Sequence, residues 1–491
     1  MPPGTRRDPV DDQRRRPAEL QAHGYRGGVP DHYDLLIVGS GSGNAVITED
    51  MADWTVGIVE GGTFGGTCLN VGCIPTKMYV YAADVAATVR GAARYGIDAT
   101  VDKVRWADIR DRVFGRIDPI SAGGLSYRRH GANTRVLQGR AAFTGPRRLA
   151  VTAADGSSTE VTAESVVLAN GSRPVLPAIP GLDPSTGPVV RHHTSDDVMR
   201  LEDLPARLVI LGGGYIASEF AHVFSALGTE VAVVARGPQL LRAHDETVSE
   251  RFTMLAQQRW DVHLSTTATG VREVGAGIEV TLSDGSVLAA DELLVAVGRV
   301  PNGDTLDASA GGVDLHPDGR VAVDEHQRTS ADGVWALGDV SSDFQLKHVA
   351  NHEARVVAHN LAHPGALRRT DHRFVPAAVF TDPQIASVGL TEAEARDAGI
   401  DYAVKVQAYG DIAYGWAMED RHGFVKVLAE RGTRRLLGAH LMGYQASTVI
   451  QPFVQALSLG TTDVREIARG QYWIHPALSE VVENALLGLE V

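Results

Sequence analysis

Cysteine is nearly absent from this chain, with two residues in 491. That count excludes a small extracellular fold stapled by disulfides. Long apolar runs are missing too, since none reaches the length that a membrane-crossing helix requires. Positive charge is in deficit: 46 Lys and Arg stand against 60 Asp and Glu, for a formal net charge of −14. Partners that demand a cationic footprint, nucleic acid or an anionic membrane surface, are therefore not expected.

What remains is ordinary globular material, 44% hydrophobic and 22% charged, with a length suited to about three domains. Glycine is abundant at 53 residues. Residues 1–30 hold six Arg, four acids and nine Pro or Gly and no apolar core of a signal peptide, so they read as a flexible tail or upstream extension. A cytoplasmic location is the expectation.

One supersecondary unit occurs twice. From Asp34 the run LLIVG predicts a buried strand, GSGSGN a glycine turn, the next residues a helix to about Ala52, and TVGIVE a second strand. From Leu208 the run LVILG is again a strand, GGGYIASEFAHVFSALG a turn and helix closed by Gly228, and EVAVVAR a strand. Each reads as a dinucleotide-binding βαβ unit: glycine lets the backbone approach a pyrophosphate, and the helix start offers free N–H groups to the anion. Two such units predict two nucleotide cofactors.

In the first unit Gly39, Gly41 and Asn44 occupy the fingerprint positions, Asn44 where a small residue is usual. Glu60 ends the second strand, placed to accept from a ribose 2′-OH, although a solvated strand-end Glu would look the same. In the second unit the positions are Gly212, Gly214 and Ala217, and the strand ends at Ala235-Arg236 with no acid. Arg236 and Arg242 would suit a ribose 2′-phosphate and hence NADPH, although surface arginines are common; the missing acid is the stronger half of that reading.

Both cysteines fall in GGTCLNVGCIPTK, as Cys68 and Cys73. Too few ligands surround them for a tetrahedral metal site, and a disulfide closing so short a loop would stabilise little. A dithiol/disulfide redox pair fits better. Ile74-Pro75-Thr76-Lys77 predicts a helix start that puts Cys73 at its positive end, and Lys77 one turn on would further favour a thiolate. Such a pair can take electrons from a flavin and pass them to a disulfide by exchange.

The segment resembles the active-site stretch of the class I pyridine nucleotide-disulfide oxidoreductases, the family of glutathione reductase and dihydrolipoamide dehydrogenase. Further matches are ANGSRP at Ala169–Pro174, GGGYIASE at Gly212–Glu219, VGRVPN at Val297–Asn302, RTSADGVWALGD at Arg328–Asp339, TDPQIASVG at Thr381–Gly389 and HPALSE at His475–Glu480. The resemblance covers about residues 31–491. It implies an α/β fold with two Rossmann-like dinucleotide-binding domains and a C-terminal α+β dimerisation domain: 31–183 with 301–370 for FAD, 184–300 for NADPH, and 371–491 for a homodimer interface.

The resemblance also implies roles. Cys73 would face the flavin and Cys68 would attack substrate. Lys77 would lie near the flavin and pair with Glu219. Thr67, Gly171, Asp339 and the helix start at Lys347-His348 would border FAD, while Tyr215 and Gly298 would border the nicotinamide nucleotide. His475 and Glu480 would form an acid–base dyad reaching the other subunit's cysteines. Thiol exchange needs such a proton carrier on its own chemistry, though one His among 18 could equally be a packed residue before a proline. The end VVENALLGLEV lacks the additional C-terminal thiol or selenol pair of mercuric and large thioredoxin reductases, which leaves a low-molecular-weight disulfide as substrate. A lipoamide or glutathione disulfide activity, or a non-catalytic flavoprotein subunit of a larger complex, remain alternatives.

Overall fold

The computed structural model describes residues 32–491; the tail expectation for 1–30 lies outside them. Strands β1 (His32–Val38), β2 (Val56–Glu60), β3 (Thr134–Gln138), β4 (Arg140–Gly145), β5 (Arg148–Thr152) and β6 (Ser158–Leu168) form one sheet in the order β3-β2-β1-β6-β5-β4. The core half, β3-β2-β1-β6, is parallel, and the strand Val334–Ala336 returns to pair with β6 in the same sense. These strands are apolar on both faces, as Leu35, Leu36, Ile37, Val166 and Val167 show with no exposure, because helices cover one side and chain from 300–340 the other.

Helices α1 (Gly66–Asn70), α2 (Cys73–Arg90) and α3 (Trp106–His130) follow β2. The short strand β7 (Ser172–Pro174) pairs with Arg299–Pro301, so the chain leaves and re-enters the first unit side by side. Between those crossings β8 (Arg207–Leu211), β9 (Glu230–Ala235) and β10 (Asp261–Leu264) make a parallel sheet with Glu292–Val295, with α4 (Tyr215–Leu227) and α5 (Glu246–Arg259) as its crossover helices. Helix α6 (Lys347–Ala362) closes the first unit. After it come a five-stranded antiparallel sheet, formed by residues 377–443, and helix α7 (Glu392–Asp397).

Two expectations meet different outcomes. Helix α4 stands as expected, and Gly228 ends it at φ 114° with its amide on the Phe224 and Ser225 carbonyls. The helix expected to run to Ala52 is instead a 3-10 turn, Ser42–Val46, followed by extended Ile47 and Thr48 and a second turn at Glu49–Met51. The β-branched run Val46-Ile47-Thr48 is poorly suited to helix, and Arg128 of α3 takes both the Asn44 side-chain oxygen at 2.7 Å and its carbonyl at 3.1 Å. Helix α6 packs on this turn, with Lys347 Nζ on Ser42 Oγ at 2.9 Å.

One apolar cluster joins the two nucleotide-type units through α2, α3 and α4. Trp106 stacks on Phe224 with ring centres 5.5 Å apart and meets Tyr79 at 5.0 Å. Among the described residues no helix is long and apolar enough to cross a membrane.

Candidate active site

Glycine builds the approach to the cysteines. Gly65 and Gly66 have φ of 104° and 72°, and a Cβ on Gly66 would come within 2.6 Å of Gly41 Cα, so the dithiol loop touches the first glycine turn backbone to backbone. Buried Ser40 ties the two together: its hydroxyl donates to Glu60 Oε2 at 2.5 Å and accepts from the Gly65 amide at 2.8 Å. Asn70 holds the far side by donating to the Phe64 and Gly66 carbonyls, both at 3.0 Å.

Cys68 sits in α1 and Cys73 is the first residue of α2, after Gly72. Both thiols are free and hydrogen-bonded to each other. That bond is the largest influence on each. Accepting from Cys68 brings the Cys73 thiol down to about 7; burial opposes this, and Lys77 and the local amide add to it. Cys68 is pushed the other way by donating to Cys73, by burial and by the neighbouring Cys73 charge, with Lys347 opposing. The arrangement is a thiolate beside a thiol that must be relieved of its proton before it can attack.

Lys77, one turn along α2, bonds both oxygens of buried Glu219 on α4, at 2.9 and 2.7 Å, and its ammonium lies 4.7 Å from the Phe380 ring centre. The Phe380 amide also donates to Glu219 Oε1 at 2.9 Å, so one carboxylate joins α2, α4 and the C-terminal region. A cleft of about 520 Å3 opens beside Cys73, lined by Ile74, Lys77, Met78, Tyr81 and Arg112. In the C-terminal region, His475 Nδ1 meets Glu480 Oε1 at 2.6 Å, and Glu480 Oε2 accepts from the Ala477 amide at 3.2 Å. The His475 bond holds the Glu480 carboxyl below the usual range. The His475 side chain is 70% exposed, and among the described contacts none joins it to either cysteine.

The two glycine turns repeat one geometry. At the end of β1, Gly39 has φ 104° and a Cβ there would strike Ala169 O at 2.3 Å; at the end of β8, Gly212 has φ 136° and a Cβ would strike Ala296 O at 2.2 Å. In both, only glycine fits against the neighbouring parallel strand. The outer side stays open: nothing lies within 4 Å of a Cβ built on Gly214, Gly171 or Gly298. Bare backbone at Gly214, beside the start of α4, fits a dinucleotide pyrophosphate in the second unit, whereas the first glycine turn leads into a 3-10 turn. Glu60 is already used three times, by Ser40 N and Oγ and by the Gly62 amide at 2.7 Å, which leaves its carboxylate room for about one more donor.

The remaining candidates are placed as follows. Asp339 accepts from Ser172 Oγ at 2.7 Å, on a turn whose Gly338 amide donates to the fully buried Glu353 at 2.6 Å. Thr67 is exposed in α1. The His348 ring bonds the Pro376 carbonyl at 2.8 Å. Tyr215 opens α4 with its side chain exposed, its hydroxyl shifted upward by neighbouring chain that partly desolvates it, and Ala217 is buried behind it. Arg236 and Arg242 are exposed on one loop after β9. Among the described residues neither has an ion-pair partner. Ser40, Arg128 and Glu353 carry no sequence signal; each acts through a partner 15 to 84 residues away, and no local pattern marks them.

Two parallel nucleotide-type units bracketing a reactive dithiol define a pyridine-nucleotide-linked disulfide oxidoreductase. The family model described as pyridine nucleotide-disulphide oxidoreductase matches residues 33–354, and that of the pyridine nucleotide-disulphide oxidoreductase dimerisation domain matches 375–486; the chain belongs to this family. Mycothione reductase of Mycobacterium tuberculosis is 58% identical over 468 residues, covering 93% of this chain and 99% of that protein. Glutathione reductase of Burkholderia cepacia is 33% identical, covering 91% and 97% respectively. Among solved structures, the HOCl-induced flavoprotein disulfide reductase RclA from Escherichia coli aligns with a TM-score of 0.80 at 27% identity, covering 93% of this chain and 99% of that one.

Proposed function

We propose that this chain is an NADPH-dependent flavoenzyme that reduces the low-molecular-weight disulfide mycothione to two molecules of mycothiol, acting as a cytoplasmic homodimer in thiol redox homeostasis. The pair of free thiols, Cys68 in α1 and Cys73 at the start of α2, is the observation that carries the disulfide chemistry, and Cys73 is shifted toward its thiolate by Cys68. The identity of 58% to a mycothione reductase over nearly the whole chain supports the substrate. In this reading residues 31–183 with 301–370 hold FAD through Gly39, Gly41, Glu60, Gly171 and Asp339. Residues 184–300 hold NADPH through Gly212, Gly214, Arg236 and Arg242, and residues 371–491 form the dimer contact.

When bound, FAD and NADPH supply the two electrons that return a Cys68–Cys73 disulfide to the dithiol. The protein's residues do the exchange. His475 removes the Cys68 proton, and the resulting thiolate attacks one sulfur of mycothione; the S–S bond breaks, and the leaving thiolate takes that proton from His475 as the first mycothiol. The Cys73 thiolate then attacks the Cys68 sulfur of the mixed disulfide, which forms the Cys68–Cys73 bond and expels the second thiolate, protonated by a proton that His475 takes up from solvent. Glu480 fixes the ring tautomer throughout. Lys77, held by Glu219, keeps Cys73 ionised.

The test is NADPH oxidation by the purified holoenzyme with mycothione, glutathione disulfide and lipoamide side by side. Mycothione should give the highest kcat/KM, and Cys68→Ser should abolish disulfide reduction while the bound flavin is still bleached by NADPH. Turnover retained in Cys68→Ser rejects the scheme; preference for another disulfide reassigns the substrate; a colourless protein supports the structural-subunit alternative.

A further inference from the structure

Residues 236–245, between β9 and α5, carry the two arginines assigned above to NADPH and have no helix or strand of their own. A free loop would let two long side chains roam. This one is held at three points. At its start the stem of Arg242 lies over Gly237, where a Cβ would come within 2.6 Å of Arg242 Cδ. In its middle Leu241 adopts φ 55° and donates its amide to the Gly213 carbonyl at 2.7 Å, which docks the loop on the second glycine turn. Ser249 Oγ bonds the Leu241 carbonyl at 2.8 Å from the other side.

The third point comes from another part of the fold. Lys426, in the strand Phe424–Glu430 of the C-terminal sheet, places its Nζ 2.8 Å from Asp245 Oδ1, 3.0 Å from Thr247 Oγ1 and 2.6 Å from Glu392 Oε2 of α7. Each of its three N–H donors therefore has an acceptor. The Glu392 amide donates to Asp245 Oδ2 at 3.1 Å. Lys426 and Asp245 are each 1% exposed. Asp245 needs none of this to cap α5, which it does through the Thr247 amide at 3.0 Å. Burying an ammonium costs free energy unless paired groups compensate, and Asp245, Thr247 and Glu392 supply that pairing only with the ammonium in one fixed position.

We propose that the buried Lys426–Asp245–Glu392 cluster is a positioning device for cofactor specificity: it anchors loop 236–245 to the C-terminal sheet so that Arg236 and Arg242 converge on a ribose 2′-phosphate. The inference rests on the NADPH reading above. Lys426 touches no ligand and acts through Asp245. Loosening the anchor widens the positions open to the two guanidinium groups, so the 2′-phosphate loses affinity while the rest of the nucleotide, bound along Gly212–Ala217, does not.

Asp245→Asn keeps a capping oxygen and removes the charge opposite Lys426; Glu392→Gln alters the cluster without touching the loop; Lys426→Met removes the amine. Each full-length holoenzyme, beside wild type and Arg242→Ala, is titrated by calorimetry with 2′,5′-ADP and with 5′-ADP and melted. Asp245→Asn is expected to weaken 2′,5′-ADP binding about five- to tenfold with 5′-ADP unchanged, and to raise KM for NADPH at constant kcat. Glu392→Gln should shift the same ratio less. If Lys426→Met does not fold, these two decide. A lower melting temperature with an unaltered ratio of the two affinities makes the cluster structural only and overturns the proposal. Equal binding of both ligands by wild type, unchanged in Arg242→Ala, shows instead that the NADPH reading has failed and takes the proposal with it.

Discussion

Cys73 and Cys68 show how two identical side chains five positions apart acquire opposite tendencies. A helix start and Lys77 are legible as causes of a low Cys73 pKa, but the larger cause in the structure is the hydrogen bond from Cys68, which depends on how α1 presents its thiol to α2. The two causes can be separated. Alkylation of the reduced protein by iodoacetamide, followed against pH, should show a half-maximal rate for Cys73 near pH 7. The group is an acid with a depressed pKa, so the reactive thiolate persists above that pH and is lost below it. Cys68→Ala removes the strongest influence and should move the midpoint up by about one pH unit or more. Lys77→Met should move it in the same direction, because it also leaves the Glu219 carboxylate unneutralised nearby. A midpoint indifferent to Cys68→Ala would show that the helix start and the lysine suffice.

At the scale of elements, the two glycine turns separate strain from crowding. Gly212 and Gly228 flank α4, and both have φ beyond 100°. A Cβ on Gly228 would meet nothing within 4 Å, whereas one on Gly212 would lie 2.2 Å from the Ala296 carbonyl oxygen. Gly228→Ala should therefore cost roughly 1–2 kcal/mol, the conformational penalty alone. Gly212→Ala must also push β8 away from the strand Glu292–Val295, so its melting temperature should fall further and 2′,5′-ADP binding should fall with it. Equal melting temperatures for the two variants, with binding retained, would mean that the strand end yields at little cost. This difference also marks what could be read along the chain. The glycine turns, strand runs and dithiol loop are local, since the residues that need glycine or a thiol lie next to those that explain why. The state of the segment after Gly41 is only partly local: the β-branched run Val46-Ile47-Thr48 disfavours helix, but Arg128 and α6 hold the 3-10 turn from outside. Lys426 shows the same limit: in the run FVKVLAE it alternates like a solvent-facing residue, and only the carboxylates of Asp245 and Glu392 bring it inside.

At the scale of the whole molecule, the parts of the proposed reaction are distributed unevenly. The thiols lie in the first unit against α2, while His475 and Glu480 stand at the end of the region matched by the dimerisation-domain model, with the imidazole largely open and no described contact to the cysteines. Tyr81 and Ile74, beside the Cys73 cleft, and Tyr472 and Ile474, beside His475, are also exposed apolar side chains, which suits two surfaces that cover each other in a symmetric pair. If each site takes its thiols from one chain and its imidazole from the other, two inactive variants can repair one another. Cys68→Ser and His475→Gln, each expressed alone, should reduce mycothione at least about 100-fold more slowly than wild type. Co-expressed in equal amounts, half of their dimers should be mixed, and each mixed dimer has one site with both native groups and one with neither. Activity should therefore recover to about a quarter of the wild-type value. Affinity tags that differ between the two variants isolate the mixed dimer, which should show about half of wild-type activity. No recovery in an isolated mixed dimer would place both groups of each site on one chain, and the exposed His475 would then have to reach the cysteines by a movement within the subunit.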